Sequence, residues 1–367
     1  MTIISVHGAP SEYILKENAF DLLEAKLLER NLRKVLVVHG RKSWEAAKPY
    51  WPQMEEVQIE EYTYRGECSL VEIETVAKLV KQHSLEAVIG VGGGKVLDLV
   101  KAVCDEAGRQ AILIPTLASN CAPWTPLSVI YDDSGAFIRF DVYPICTSLV
   151  LVEPRILVSA PVEMLIAGIG DTLAKWYEAD VQLAVMNHKP VPLQIAHFAA
   201  RQCKDLLLQS ARGAVAAART KEVTEDFIQA AETIMMYGGM VGGYGDHYGR
   251  IAGAHSIHNG LTVLEETHHA LHGDKVAYGI LVQLVLEDKW EEIVELRPFY
   301  EELGLPLSLT DLGVAEVTES LMMEIAEKAA LPSESIHVMS IGRITPERVM
   351  GAIRRLEQFV CECEECG

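Results

Sequence analysis

The chain of 367 residues is long for one hydrophobic core, so we expect two domains, and its 49% apolar and 23% charged residues are typical of a globular protein. A formal charge of −20 excludes nucleic acid and anionic membranes as expected partners, because both require clustered Lys and Arg. The N-terminus lacks a basic segment followed by an apolar one, and no apolar run reaches about 18 residues, so we expect a cytoplasmic protein without a membrane span.

The first 92 residues alternate between strand and helix patterns. The segments concerned are predicted helices at 17–30 and 71–82 and predicted strands at 35–38, 57–64 and 87–91. This alternation is typical of a parallel sheet with helices on its faces. The strand at 35–38 ends in the basic sequence His39-Gly40-Arg41-Lys42.

Three glycines, Gly92-Gly93-Gly94, follow the strand at 87–91 and precede a predicted helix at 95–107. They leave backbone N–H groups open, and the helix N-terminus adds a positive dipole, so a pyrophosphate could bind there. Turns between strand and helix also use glycine for geometry alone, and this alternative remains open. The position at the carboxyl end of a strand favours phosphate binding.

A long loop, TLASNCAPWTPLSVIYDDSG, follows a predicted strand at 111–115. Its prolines and small hydroxylated residues are typical of a loop that lines a site. Strands at 127–131 and 137–142 are predicted to form a hairpin, and a last strand is predicted at 148–152. No strand pattern follows Pro154.

The second half of the chain has helical patterns throughout. The predicted helices lie at 162–166, 172–185, 191–208, 224–236, 278–285, 291–303 and 345–359. We therefore expect an α/β domain at 1–158 and a helical domain at 159–367. Six glycines between Gly238 and Gly249 indicate either a flexible lid or close packing of helices.

The segment 254–274 holds five of the twelve histidines. Neutral imidazole is a common ligand for zinc and ferrous iron, and such sites usually add a carboxylate. Asp171 could supply it, although its place after Gly168-Ile169-Gly170 by itself favours a helix N-cap. The histidines could instead form a solvated helix face, and Asn259-Gly260 predicts a break soon after His255 and His258.

The eight cysteines divide into five that are scattered singly and a C-terminal group. Scattered cysteines suit reduced thiols in a cytoplasmic protein, and they are Cys68, Cys104, Cys121, Cys146 and Cys203. Cys361, Cys363 and Cys366 could bind a soft metal. We favour a frayed acidic terminus with no dedicated role.

Five motifs between residues 90 and 283 occur in the order of a known family. They are GVGGGKVLD, PTLASNCAPWTPLSVIYDDSG, GIGDTLAKWYEA, AHSIHNGLTVL and LHGDKVAYGILVQ, and SESIHVMSIGRITPE extends the likeness. The chain resembles the glycerol dehydrogenase branch of the iron-containing alcohol dehydrogenase superfamily, and within it most the hydroxycarboxylate dehydrogenases. The resemblance implies an α/β N-terminal domain with a mostly parallel Rossmann-like sheet and an all-α C-terminal domain, as in dehydroquinate synthase-like folds. We also expect a homo-oligomer.

The resemblance implies a metal site at Asp171, His255 and His272. Members with iron typically carry a fourth ligand, a His one helical turn after the Asp, and this chain has Lys175 there. The resemblance therefore favours a three-ligand zinc site, with ferrous iron as the alternative. The nucleotide contacts that it implies are Gly93, Gly94, Lys95, Asp98, Thr116, Ser119, Thr125, Leu127 and Tyr131.

One departure from the family concerns the substrate. Where glycerol dehydrogenases place an Asp toward glycerol, this chain has Cys121, and a neutral thiol does not repel an anion. We therefore expect a hydride-transfer enzyme for a small 2-hydroxy or 2-oxo acid, with a glycerol or other alcohol dehydrogenase as the alternative. A degenerate nucleotide-binding protein is the non-catalytic alternative. His258 could relay a proton or simply hydrogen-bond to a metal ligand.

The cofactor is expected to be NADP(H) or NAD(H). NAD-selective relatives commonly carry an acid after the strand at 35–38, where this chain has His39-Gly40-Arg41-Lys42 and no acid. Arg41 could contact a 2′-phosphate, so we expect NADP(H) to be accepted at least as well as NAD(H). Solvated surface charge is the alternative for Arg41 and Lys42.

Overall fold

The computed structural model describes residues 3–133 and 135–365, apart from the side chains of 363–365. Its strands, in chain order, are β1 (Tyr13–Leu15), β2 (Lys34–His39), β3 (Gln58–Thr63), β4 (Ala87–Gly92), β5 (Gln110–Pro115), β6 (Leu127–Tyr131), β7 (Phe137–Val142) and β8 (Leu149–Val152). Six of them form a parallel sheet in the order β1-β8-β5-β4-β2-β3, and β6 and β7 form an antiparallel hairpin. The predicted strands and hairpin are confirmed, and only β1 is added, because its three residues are too few to show a period.

The direction of the connections changes between β2 and β4. From β2 the chain moves to β3 at one edge of the sheet, whereas from β4 it moves to β5 toward the other edge. Such a switch point opens a crevice at the carboxyl ends of the adjacent strands β2 and β4, which are His39 and Gly92. The Ser43 hydroxyl donates to Val91 O at 2.8 Å and ties the two sides of this crevice together.

Helices cover the sheet and form the rest of the molecule. Those that belong to the sheet region are α1 (Leu23–Glu29), α2 (Arg41–Ala47), α3 (Leu70–Gln82) and α4 (Gly94–Ala107). After the last strand follow α5 (Pro154–Ser159), α6 (Val162–Leu183), α7 (Val191–Thr220), α8 (Glu225–Glu232), α9 (Gly238–Gly245), α10 (Gly253–Leu261), α11 (His272–Leu286), α12 (Trp290–Leu303), α13 (Glu319–Ala329) and α14 (Pro346–Glu365). Within the described residues no strand follows Pro154, as the sequence predicts.

The prediction of separate helices at 162–166 and 172–185 is wrong, because α6 is continuous across both. Gly168 and Gly170 lie inside it, where close packing requires their lack of a side chain. A Cβ on Gly168 would lie 2.6 Å from Ala118 O, and one on Gly170 would lie 2.7 Å from Gly273 O. The N-cap reading of Asp171 is therefore also wrong, since the residue lies well inside the helix.

The helices α9, α10 and α13 bear on the remaining sequence predictions. The break predicted at Asn259-Gly260 agrees with the end of α10 at Leu261, one residue further along, and a Cβ on Gly260 would lie 2.5 Å from Ile325 O. The short helix α13 has no counterpart in the sequence prediction. The glycines from Gly238 to Gly245 form the buried helix α9, which agrees with close packing and not with a lid.

Apolar packing joins the sheet to the helices. A smaller core lies on the face of the sheet covered by α1 and α2, whereas the larger core runs without interruption from the opposite face to α14. The larger core includes residues on both sides of position 158/159, and the division into two domains there stays a prediction. Within the described residues, no helix is both long and apolar enough to cross a bilayer.

The thiols whose side chains are described are all free. Cys361 is exposed near the end of α14. Cys366 lies outside the described residues, as does the side chain of Cys363, so the reading of the cysteine tail stays a prediction.

Candidate metal centre and nucleotide crevice

Three helices bring the predicted ligands together. Asp171 comes from α6, His255 from α10 and His272 from the first residue of α11. Nε2 of His255 lies 3.3 Å from Oδ1 of Asp171, and Nε2 of His272 lies 3.7 Å from the same oxygen. One donor atom from each residue lies within 4.8 Å of the other two.

These separations fit a shared metal ion. A tetrahedral ion with ligand bonds of about 2.0–2.1 Å holds its ligand atoms about 3.4 Å apart. Oδ1 of Asp171 is buried and has no hydrogen-bond partner among the described residues. Burial of such an oxygen costs free energy unless a cation binds to it. Two imidazoles and a carboxylate are also the donor set that zinc or ferrous iron takes. The residues present therefore fit the metal that the sequence predicts.

Glu178 fixes the orientation of His255. This fully buried carboxylate lies two turns after Asp171 on α6, and its Oε2 is 2.7 Å from Nδ1 of His255. Its other oxygen accepts the backbone N–H groups of Ala252 and His255 at 2.6 and 3.0 Å. Because Glu178 accepts the hydrogen bond from Nδ1–H, Nε2 is the ring atom that can offer a lone pair to a metal.

His258 lies behind His272. Nδ1 of His272 is 3.0 Å from Nε2 of His258, whose Nδ1 lies 3.1 Å from Oδ1 of Asn259. The Asn259 amide in turn donates to Glu334 at 2.9 Å. This series of hydrogen bonds orients the imidazole of His272, whose side chain is 53% exposed. It agrees with a hydrogen-bonding role for His258.

The site is strongly charged. Although burial opposes ionisation, Lys175 and the two imidazoles hold the pKa of Asp171 well below its usual range. Burial likewise opposes the charged ring of His255, but the adjacent Glu178 raises its pKa to about 9. A metal at this position must displace that proton, because coordination requires the neutral ring.

Cys121 and Lys175 border the ligand cluster. Burial raises the pKa of the Cys121 thiol, so it is neutral at pH 7, as the substrate argument requires. The ammonium of Lys175 lies 3.9 Å from Oδ1 of Asp171. Lys175 therefore places a cation where members with iron typically have their fourth ligand.

The predicted phosphate site lies at the switch point. Gly93 precedes α4, and the N–H groups of Gly94 and Lys95 make no hydrogen bond within the described residues. A Cβ on Gly94 would lie 2.7 Å from the Asn120 amide. Lys95 is exposed and its ammonium lies 2.6 Å from Oε1 of Glu67, so phosphate would compete with this ion pair.

Asp98 has partners within the protein. Its Oδ1 lies 2.8 Å from the ammonium of Lys101, and its Oδ2 accepts the backbone N–H of Val129 at 3.0 Å. The same buried ammonium donates to the carbonyl oxygens of Ala122, Thr125 and Leu127. The structure therefore gives Asp98 a loop-supporting position, and its direct contact with nucleotide stays a prediction.

The remaining predicted nucleotide residues lie after the carboxyl ends of β2 and β5 or on β6. Thr116 follows β5 and donates its N–H to Gly92 O at 3.0 Å, while Ser119 packs on Gly168 of α6. The ring of Tyr131 lies 5.0 Å from the ammonium of Lys95. Arg41 begins α2 at the carboxyl end of β2, is exposed, and has no partner among the described residues.

The chain matches known proteins over nearly its whole length. A family model described as iron-containing alcohol dehydrogenase matches residues 10–154. Hydroxycarboxylate dehydrogenase A of Escherichia coli (strain K12) is 35% identical over 357 residues, which cover 97% of this chain and 98% of that protein. The chain belongs to the iron-containing alcohol dehydrogenase family. The expectation of an oxidoreductase that acts on CH–OH groups is thereby confirmed.

Other members of the family agree in sequence and in fold. Glycerol dehydrogenase of Pseudomonas putida is 40% identical over 301 residues, 81% of each chain. The crystal structure of glycerol dehydrogenase from Schizosaccharomyces pombe superposes with a TM-score of 0.88 at 29% identity and covers 99% of this chain and 93% of that one. A probable glycerol dehydrogenase from Sinorhizobium meliloti 1021 gives 0.85 at 31% identity, covering 97% and 99%. The predicted fold class is confirmed.

Three residues near the site were not predicted from the sequence. Glu178 could have been found, because seven residues separate it from Asp171 and place both on one helix face, but only if α6 is continuous. Lys101 is buried among apolar residues of α4, although a lysine is normally expected at the surface. Arg250 follows the glycine-rich segment and carries no signal of its proximity to Cys121.

Proposed function

We propose that this protein is a metal-dependent enzyme that transfers hydride between NAD(P)(H) and a small 2-oxo or 2-hydroxy acid. The observation that carries the proposal is the convergence of Asp171, His255 and His272, with Glu178 orienting one imidazole, next to the neutral Cys121. In the direction of reduction, a 2-oxo acid, NAD(P)H and a proton give a 2-hydroxy acid and NAD(P)+. The relative named hydroxycarboxylate dehydrogenase A supports this substrate class.

The residues of the chain have separable tasks in this reaction. A bound divalent metal supplies Lewis acidity at the substrate oxygen, and the nicotinamide supplies or accepts the hydride. Asp171, His255 and His272 would hold the metal. Asp98 and Lys101 fix the loop between the metal ligands and the crevice, so that substrate and cofactor are held in reach of each other.

The second candidate is a dehydrogenase of glycerol or another neutral alcohol. Relatives named glycerol dehydrogenase favour it, and Cys121 would then only shape the pocket. A panel of 2-oxo acids, 2-hydroxy acids and neutral alcohols, run with both cofactors and added zinc, decides between the two. Preferred turnover of neutral alcohols would contradict the acid proposal, and absence of all turnover would favour a degenerate nucleotide-binding protein.

The proposal includes three finer points. Zinc is preferred over ferrous iron, because the position one turn after Asp171 is Lys175 and not a fourth ligand. A homo-oligomer is supported by exposed apolar residues on β7, namely Phe137, Ile138, Phe140 and Val142. A cytoplasmic location is supported by the free thiols.

Substitution of Gly94 tests the phosphate site. We expect Gly94→Asp to weaken binding of both NAD(H) and NADP(H) by roughly 100-fold, because it adds a side chain and a negative charge where open N–H groups face the crevice. Gly94→Ala is the matched control, since it adds only the Cβ that contacts Asn120. Fluorescence titration of both variants separates charge from bulk. Unchanged affinity in Gly94→Asp would place the phosphates elsewhere.

Substitution of Arg41 tests the choice of cofactor. We expect the wild type to use NADP(H) at least as well as NAD(H), because an exposed, unpaired guanidinium at the end of β2 can bind a 2′-phosphate. Arg41→Ala should lower kcat/KM for NADP(H) by roughly 10-fold and leave NAD(H) unchanged. A strong wild-type preference for NAD(H), or unchanged NADP(H) kinetics in the variant, contradicts this expectation.

A further inference from the structure

We propose that Lys175, together with Arg250, binds the carboxylate of the substrate and thereby selects 2-oxo acids over neutral ketones. This inference rests on the proposed function and assigns its specificity to two residues. Both cations lie close to Cys121 and to the ligand cluster, and neither is needed to hold the metal.

Lys175 is a cation with unused donors. It lies one turn after Asp171 on α6, its side chain is 12% exposed, and its ammonium is 3.9 Å from Oδ1 of Asp171. The ammonium donates one hydrogen bond, to Arg250 O at 3.3 Å. Among the described residues nothing accepts its other two N–H groups, so they can bind an anion beside the metal.

Arg250 supplies a second cation in the same region. Its Nε donates to the backbone carbonyl of Asp246, which fixes the guanidinium without neutralising it. Its terminal Nη groups have no hydrogen bond to any described side chain or backbone oxygen. The backbone oxygen of Arg250 accepts a hydrogen bond from Lys175, and the Arg250 guanidinium and Cys121 both adjoin α9, so the three residues are neighbours.

Two glycines of α9 adjoin Cys121 and Arg250. Gly238 and Gly242 are four residues apart and so lie on one face of the helix. A Cβ on Gly238 would lie 3.5 Å from Cβ of Cys121, and one on Gly242 would lie 2.9 Å from Nη1 of Arg250. Larger residues at these two positions would press on both Cys121 and the guanidinium.

The balance of charge favours an anionic occupant. A divalent ion, Lys175 and Arg250 bring four positive charges, whereas Asp171 and Glu178 bring two negative ones. Burial makes uncompensated charge costly, and a substrate carboxylate offsets part of the excess. A neutral ketone cannot do so. An Asp in place of Cys121 would itself neutralise one cation, so Cys121 leaves both available to the substrate.

Paired substrates test the inference. Pyruvate and hydroxyacetone share a ketone but differ in having a carboxylate or a CH2OH group. Lys175→Met should lower kcat/KM for pyruvate by roughly 10- to 100-fold, mainly through KM, and change that for hydroxyacetone by less than about 3-fold. Lys175→Arg should restore most of the preference, and Arg250→Met should resemble Lys175→Met. Equal losses for both ketones would show that Lys175 only neutralises Asp171, and would overturn the inference.

Equilibrium binding provides a readout that needs no turnover. Oxamate is an unreactive analogue of pyruvate, and calorimetry should show its affinity for the zinc- and NAD(P)H-loaded protein falling at least about 10-fold in Lys175→Met. Zinc affinity should not fall by more than about 3-fold, since Lys175 is not a ligand and its removal takes a cation away from the metal. Unchanged oxamate affinity in both methionine variants contradicts the inference alone. A wild type that reduces hydroxyacetone but neither reduces pyruvate nor binds oxamate contradicts the proposed substrate class as well.

Discussion

Replacing His255 with alanine is expected to abolish stoichiometric zinc binding and to lower kcat/KM by at least roughly 1,000-fold. The substitution removes one of three ligands and also leaves the buried carboxylate of Glu178 without its imidazole partner. Loss of the metal removes the Lewis acid from the reaction, which is worth several kcal/mol of transition-state stabilisation. Elemental analysis of the purified protein and steady-state kinetics measure the two effects.

His268 provides the matched control. It lies in the same histidine-rich segment, but it is exposed and its Nε2 lies 3.1 Å from the carbonyl oxygen of Thr262, not near Asp171. His268→Ala should retain wild-type zinc content and activity. Equal zinc loss in both variants, or full zinc content in His255→Ala, would contradict the assignment of the ligands.

Gly273→Ala is expected to lower the free energy of unfolding by at least about 3 kcal/mol and to disrupt the metal site with it. A Cβ at Gly273 would lie 1.8 Å from Ala167 O and 2.4 Å from its carbonyl carbon. These are backbone atoms of α6, so no side chain can rotate away and α6 and α11 must separate. Because Asp171 and His272 lie on these two helices, their separation also pulls the ligands apart.

Gly351→Ala is the control for this substitution. Gly351 lies within α14, and a Cβ there would meet no atom within 4 Å. The change should stabilise the protein by about 0.5–1 kcal/mol, because alanine is the better helix former. Thermal unfolding and zinc titration of both variants test the pair. Wild-type stability and zinc affinity in Gly273→Ala would show that the approach of α6 and α11 is not required.

The strands were accessible from the sequence because their apolar runs are strong local signals. Every residue of β4 is buried, and its composition reflects burial on both faces of a parallel sheet. The helices were less accessible wherever glycine interrupts them. Gly168 and Gly170 look like breaks in the sequence, but each meets a backbone from a distant segment. Such contacts are tertiary, so periodicity cannot reveal them.

In the candidate site, the metal ligands could be predicted from the sequence but their hydrogen-bond partners could not. Asp171, His255 and His272 follow from the resemblance, and the structure brings them together. Neither spacing nor composition, however, predicts that Glu178 orients His255 or that Asp98 pairs with Lys101. These partners depend on the continuity of α6 and on the path of the loop after β5, which only the fold determines.

The most direct test of the central claim is the position of the metal in a crystal of the zinc-loaded protein. Anomalous scattering measured at the zinc absorption edge should give one strong peak within about 2.0–2.2 Å of an Asp171 carboxylate oxygen and of Nε2 of His255 and of His272. This peak should be absent from the same crystal form of His255→Ala. Stoichiometric zinc located elsewhere in the molecule, with no peak between these three residues, would contradict it.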